Sequence, residues 1–238
     1  MILDTEILPD SEALAYAAAA RIAEAIRAKQ GVFSLVLAGG TTPIAAYRYL
    51  AQQRLEWSNV HFFWGDERQV APADPQSNYF AAKRALLDHV SVPSPNIHRI
   101  HAEIGPAAAS EYEAELHAFF KGTPVFDFLV LGMGEDGHTA SLFPGNDALA
   151  APGFVTAVSN APKPPPDRIT LTYGAIRCAR TVVVLVAGEG KAAVLNQIRR
   201  VGTDVNHYPV TGAVSASGKA SWLLDRAAAS GLEADSVG

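Results

Sequence analysis

The chain has a single cysteine, Cys178, so it cannot form an internal disulfide and has no cysteine cluster for a structural zinc site. The expectation is an inert, partly buried thiol in a reducing cytosol. Excess positive charge is also missing: 19 Lys and Arg stand against 24 Asp and Glu, a net charge of -5, which argues against general nucleic-acid binding. Any anionic ligand must then be held by local cations. Nor is there a long apolar run. The N-terminal MILDTEILPD is acidic, and the first extended apolar stretch, Ala13 to Ala20, is mostly alanine and ends at Arg21. Neither a signal peptide nor a membrane span is expected. No internal repeat and no block of like charge stands out.

What is there is a globular composition of 238 residues, 49% hydrophobic and 18% charged, which suits one core and a single domain over residues 1–238. After Asp10 and Ser11, either able to cap a helix, Leu14, Ala18, Ile22 and Ile26 recur at helical spacing until Gly31. Phe33 to Ala38 is an apolar run too short for a helix, followed by Gly39-Gly40-Thr41-Thr42-Pro43 and a helical stretch to about Gln52. The alternation returns at Val60 to Trp64 then Ser77 to Leu87, at Phe126 to Leu131, and at Thr181 to Ala187 then Gly190 to Ile198. This predicts an α/β fold: a mainly parallel sheet with helices on both faces, doubly wound and Rossmann-like in three layers. Prolines at 152, 162, 164, 165 and 166 interrupt the pattern around a strand-like Phe154 to Val158, which reads as a rigid excursion over one domain. Ser221 to Leu224 reads as a short strand or buried turn, and the last residues are expected to fray.

Ligands of open α/β sheets bind beyond the carboxyl ends of the strands, so the loops after the apolar runs are the places to look. In the first, Gly39 and Gly40 free the backbone to approach a ligand, Thr41 and Thr42 offer hydroxyls, and the next helix presents its free N–H groups. The same residues also fit an ordinary turn with Thr41 or Thr42 as N-cap. The second loop, Gly65-Asp66-Glu67-Arg68, sets a guanidinium able to grip phosphate or carboxylate beside Asp66 or Glu67, either of which could orient it or handle a proton. The third, Gly132 to Gly145, contains G-x-G-x-x-G, but Pro144-Gly145 cuts any helix short and no acid occurs from Ala148 to Pro166 to hold a ribose. Dinucleotide binding is rejected. That loop instead presents Asp136 and His138, a carboxylate and an imidazole suited to proton transfer near neutral pH. Ser141 reads as a helix hydroxyl, and no G-x-S-x-G elbow suggests covalent catalysis. A fourth site combines Arg168 with Lys191, a lysine at a helix start where an anion would be welcome. The remaining histidines show no metal-binding spacing, although His98 and His101 are close in sequence.

Together, AGGTTP (38–43), WGDER (64–68) with Ser77-Asn78, NIHRI (96–100), GMGEDGHTASLFPG (132–145), Arg168-Ile169-Thr170-Leu171-Thr172 and Gly190-Lys191-Ala192 resemble the 6-phosphogluconolactonases, within the wider glucosamine-6-phosphate isomerase/lactonase superfamily. The resemblance spans nearly the whole chain. It implies cytoplasmic hydrolysis of 6-phosphogluconolactone to 6-phosphogluconate in the pentose phosphate pathway, without metal or organic cofactor. The implied partner is a phosphorylated sugar lactone, with no nucleic acid or membrane, in a monomer or weak homo-oligomer. Residue by residue, it implies His138 as the base that activates water, supported by the turn containing Asp136, and Asp66 as an orienting or polar contact. Gly39, Gly40, Thr41, Thr42, Arg168 and Lys191 would hold the phosphate, and Arg68 the substrate or its developing charge.

Two other functions fit less well. Glucosamine-6-phosphate deaminases share Asp136-Gly137-His138, but carry glutamate where this chain has Phe143 and tyrosine where it has Arg68. A non-catalytic sugar-phosphate sensor would need no His138 and usually carries a DNA-binding module, for which no segment is spare. One departure from the lactonase pattern is Gly174, where proline is expected.

Overall fold

The computed structural model describes residues 4–233. In chain order these form β1 (Asp4–Leu8), α1 (Ser11–Ala28), β2 (Phe33–Leu37), α2 (Thr41–Leu50), β3 (Val60–Trp64), β4 (Asp66–Arg68), α3 (Asn78–Ala85), β5 (Ile97–His98) and α4 (Ala107–Phe120). Then follow β6 (Phe128–Gly132), β7 (Val155–Val158), β8 (Arg168–Leu171), α5 (Tyr173–Ile176), β9 (Thr181–Val186), α6 (Ala192–Val201), β10 (Ser221–Asp225) and α7 (Arg226–Glu233). The fraying expected at the C-terminal end lies outside the described residues.

Seven strands make one parallel sheet in the order β1-β10-β9-β6-β2-β3-β5, flanked by helices. β2 is buried throughout and β6 and β9 nearly so, which is why their sequences are continuous apolar runs rather than alternating ones. β1 is the exception. Its residues are mostly exposed at the sheet edge, so DTEIL carries no apolar signature and sequence reasoning passes over it. Asp10, not Ser11, caps α1: its carboxylate accepts from the Ala13 N–H at 2.8 Å, while Leu14, Ala18, Ile22 and Ile26 turn inward. α4, rich in alanine and glutamate, and α7 are helices the sequence reading does not assign. Cys178 is a free, half-buried thiol.

A second sheet was not expected. β4, β8 and β7 form a small antiparallel ribbon, pairing Asp66 with Thr170 and Arg68 with Arg168. It joins the supposed loop after β3 and the segment after the proline run as neighbouring strands of one ribbon. Among the described residues, no helix is long and apolar enough to cross a membrane.

The strand order has a reversal between β2 and β6. From β2 the chain proceeds outward to β3 and β5, and from β6 it proceeds the other way to β9 and β10. Loops leaving two strands on either side of such a switch point diverge and open a crevice.

Candidate active site

That crevice is a cleft of about 250 Å³. Its walls are Ala38 to Pro43 after β2, Asp66 and Arg68 after β3, Gly132 to Gly134 and His138 after β6, Leu185 and Ala187 from β9 onward, with Lys163, Arg168 and Lys191. Every site residue expected from the sequence lines it except Asp136, which touches His138 from behind. Among the described residues, a larger hollow of about 480 Å³ beside Trp222 has Asp4 and Lys219 as its charged lining, and so offers little chemistry.

Gly40, rather than either threonine, is the N-cap of α2, and among the described residues no side chain caps the first turn of that helix. Its leading N–H groups therefore face the cleft side without a capping oxygen, which suits an anion. Gly39 is required for a different reason: a Cβ there would lie 1.9 Å from Oδ1 of Asn78.

His138 sits in the turn after β6. Its Nδ1 is 2.5 Å from Oδ1 of Asp136, and its backbone N–H reaches the same oxygen at 3.2 Å. Burial alone would raise the Asp136 pKa, but the hydrogen bond and charge of His138, with Lys163 nearby, outweigh it and hold the carboxyl well below the usual range. Asp136 is thus a fixed anion that orients the imidazole. Because Nδ1 is committed to it, Nε2 is the nitrogen left for chemistry. Phe143 packs against the ring at a centroid separation of 4.5 Å, and Arg168 lies over the same phenyl group at 5.7 Å.

Asp66 and Glu67, interchangeable on sequence grounds, have separate duties. Asp66 is 5% exposed, with Oδ1 accepting from Asn78 Nδ2 at 3.0 Å and Oδ2 from Ser141 Oγ at 2.7 Å, and Arg168 Nη1 3.9 Å away. Ser141 is therefore no helix hydroxyl. It lies in a turn bridged by Thr139 and Leu142, because Pro144 and Gly145 leave no length for a helix. Glu67 points away, accepting from the N–H groups of Arg68, Asn78 and Tyr79 and from Ser77 Oγ at 2.7–2.9 Å. Burial pushes its pKa up, and these hydrogen bonds oppose the shift without cancelling it. Glu67→Gln puts an amide NH₂ against donors, so we expect a loss of about 2 kcal/mol in stability, read as a lower denaturant midpoint. An unchanged midpoint would show that the donors find other acceptors.

Arg68 donates from Nη1 to the Gln76 carbonyl at 2.6 Å, while its buried Nε has no partner among the described residues. Such a donor is costly to leave unpaired, and an anion in the cleft would satisfy it. Lys191 is 3.8 Å from Glu135; burial lowers its pKa, and Glu135 counteracts this while Lys163 adds to it. The cleft thus gathers Arg68, Lys163, Arg168 and Lys191 around one lining carboxylate, Asp66, so its charge is positive although the chain's is negative. Asn78, which entered the sequence reading only within the family motif, and Ser141 and Lys163 are site residues to which no site role was given from the sequence. For Lys163 the available signal was a lysine inside a proline run.

The other histidines are elsewhere. His61 and His98 meet at 2.9 Å, His98 pairs with Glu115 at 2.7 Å, and His101 bonds to Glu111, tying α4 to the sheet edge. Among the described residues, no cluster of three or more His, Cys, Asp or Glu is arranged to hold a metal ion.

This cleft, with its doubly wound sheet, is that of a known class. Residues 9–222 match the model of the glucosamine-6-phosphate isomerases/6-phosphogluconolactonase family, and the chain belongs to that family. A 6-phosphogluconolactonase of Mycobacterium tuberculosis is 46% identical over 243 residues, covering 95% of this chain and 97% of the relative. One from Nostoc is 40% identical over 240 residues, covering 95% and 97%. The crystal structure of 6-phosphogluconolactonase from Thermotoga maritima superposes with a TM-score of 0.83 at 29% identity, covering 93% of this chain and 99% of that one.

Proposed function

We propose that this chain is a 6-phosphogluconolactonase, hydrolysing 6-phosphogluconolactone to 6-phosphogluconate in the pentose phosphate pathway, with residues 1–238 acting as one domain. The observation that carries the reading is the His138–Asp136 pair set at the rim of a cationic cleft at the sheet's switch point. The names and high identities of the relatives support the same reaction.

His138 Nε2 takes a proton from water as the oxygen attacks the lactone carbonyl, forming a tetrahedral oxyanion. Asp136 stabilises the imidazolium so produced. The oxyanion lies within the field of Arg68 and neighbouring backbone donors. When the C–O bond of the ring breaks, the imidazolium returns its proton to the leaving oxygen. Asp66, held by Asn78 and Ser141, orients sugar hydroxyls rather than shuttling protons. Gly39, Gly40, Thr41 and Thr42 with Lys191 receive the phosphate, whose binding supplies orientation.

The packing of Phe143 on His138 opposes the deaminase alternative, because it puts an apolar ring where an ionisable partner of the imidazole would be needed. The test is proton release from fresh 6-phosphogluconolactone above the spontaneous rate, with ammonia release from glucosamine-6-phosphate measured alongside. Acceleration with the lactone alone is expected. Ammonia release would favour the deaminase, and silence on both would favour a sensor.

A further inference from the structure

The segment from Ala161 to Asp167 contains Pro162, Pro164, Pro165 and Pro166, and so has more carbonyls than N–H groups. One bond closes it, from Ala161 N–H to the Pro166 carbonyl at 2.8 Å. The missing donors come from Arg168. Its Nε donates to the Pro165 carbonyl at 2.8 Å, and its Nη2 to the carbonyls of Lys163 and Pro164 at 3.0 and 3.3 Å. Arg168 is 4% exposed, so this guanidinium is the filling of the loop. Two of its three nitrogens are used there and the third faces Asp66, which leaves little of the fork for a ligand. Lys163 is placed the other way round. Its backbone carbonyl is held by Arg168, while the residue is half-buried and lines the cleft with Arg68 and Lys191.

We propose that Lys163 binds the substrate's phosphate directly, and that Arg168 is a positioning residue that acts through it by building the loop that delivers Lys163. This rests on the reading of the cleft as a sugar-phosphate site. An ammonium on a flexible stem suits a point contact with a dianion, and the prolines lower the entropy lost in holding its backbone still. Lys191 approaches from α6, so the phosphate would be held by cations on separate elements.

The test uses the intact protein, with 6-phosphogluconate titrated by calorimetry and steady-state kinetics on the phosphorylated lactone. Lys163→Met is expected to weaken 6-phosphogluconate binding and raise KM by about 10-fold or more, with kcat changed by less than about 3-fold. Lys163→Arg should recover most of the affinity that Lys163→Met loses. Arg168→Lys should reproduce the loss seen in Lys163→Met, and the double variant should bind no more weakly than either single one. Unchanged affinity and KM in Lys163→Met would overturn the assignment of Lys163, and additive losses in the double variant would overturn the positioning role of Arg168. A wild-type protein that binds 6-phosphogluconate but does not hydrolyse the lactone would sink the enzymatic reading alone. A wild type that does not bind it would sink both.

Discussion

His138→Ala lowers kcat on 6-phosphogluconolactone by about 10²- to 10⁴-fold, while 6-phosphogluconate still binds within a few fold of the wild type. The size follows from losing both halves of the proton cycle, the uptake from water and the return to the ring oxygen. Affinity is spared because the cations of the cleft lie on other elements: Arg68 at the end of β4, Lys163 on the proline loop, Lys191 before α6. The measurement is single-substrate kinetics corrected for spontaneous hydrolysis, beside calorimetry of product binding. Near-normal turnover in the folded variant would remove His138 from the role of base, and loss of binding without loss of kcat would make it a ligand of the sugar.

Gly134→Ala should inactivate the protein nearly as well without touching an ionisable group. A Cβ at position 134 would lie 2.0 Å from Nδ1 of His138 and 2.5 Å from Oδ1 of Asp136, the two atoms whose contact orients the imidazole. Those atoms end side chains that can swing away, so the strain is relieved by breaking the pair rather than by unfolding. We expect kcat to fall by about 10²-fold, the scale of a misplacement of roughly 1 Å, with the thermal midpoint within a few degrees of the wild type. A large drop in the midpoint would mean that the loop itself had been disrupted, and full activity would mean that the His138–Asp136 contact is dispensable.

Much of the scaffold was legible because its signals are local. Phe33 to Leu37, Val60 to Trp64 and Thr181 to Val186 are apolar runs of strand length because central parallel strands are covered on both faces. The periodicity of α1 and its acidic cap are equally short-range. So is the clustering of functional residues, since the loop after each strand arrives at the same end of the sheet whatever its partners are. β1 and β4 were hidden for the converse reason: they are short, charged, or both, and they exist only because a neighbour supplies the other half of the ladder.

The α/β class, the family and the set of loops from which a site could be made all follow from local patterns along the chain. What each polar side chain does within that set was decided by tertiary structure. Asp66 and Glu67 are adjacent, yet one meets Ser141, 75 residues away, and the other caps a helix. Arg168 looks like a ligand for phosphate and is largely the donor set of a loop made of prolines. The physical reason is that burial favours apolar side chains of many kinds, and so leaves a pattern along the chain, whereas a buried polar atom needs one partner at about 3 Å. That partner is set by where the folded chain returns.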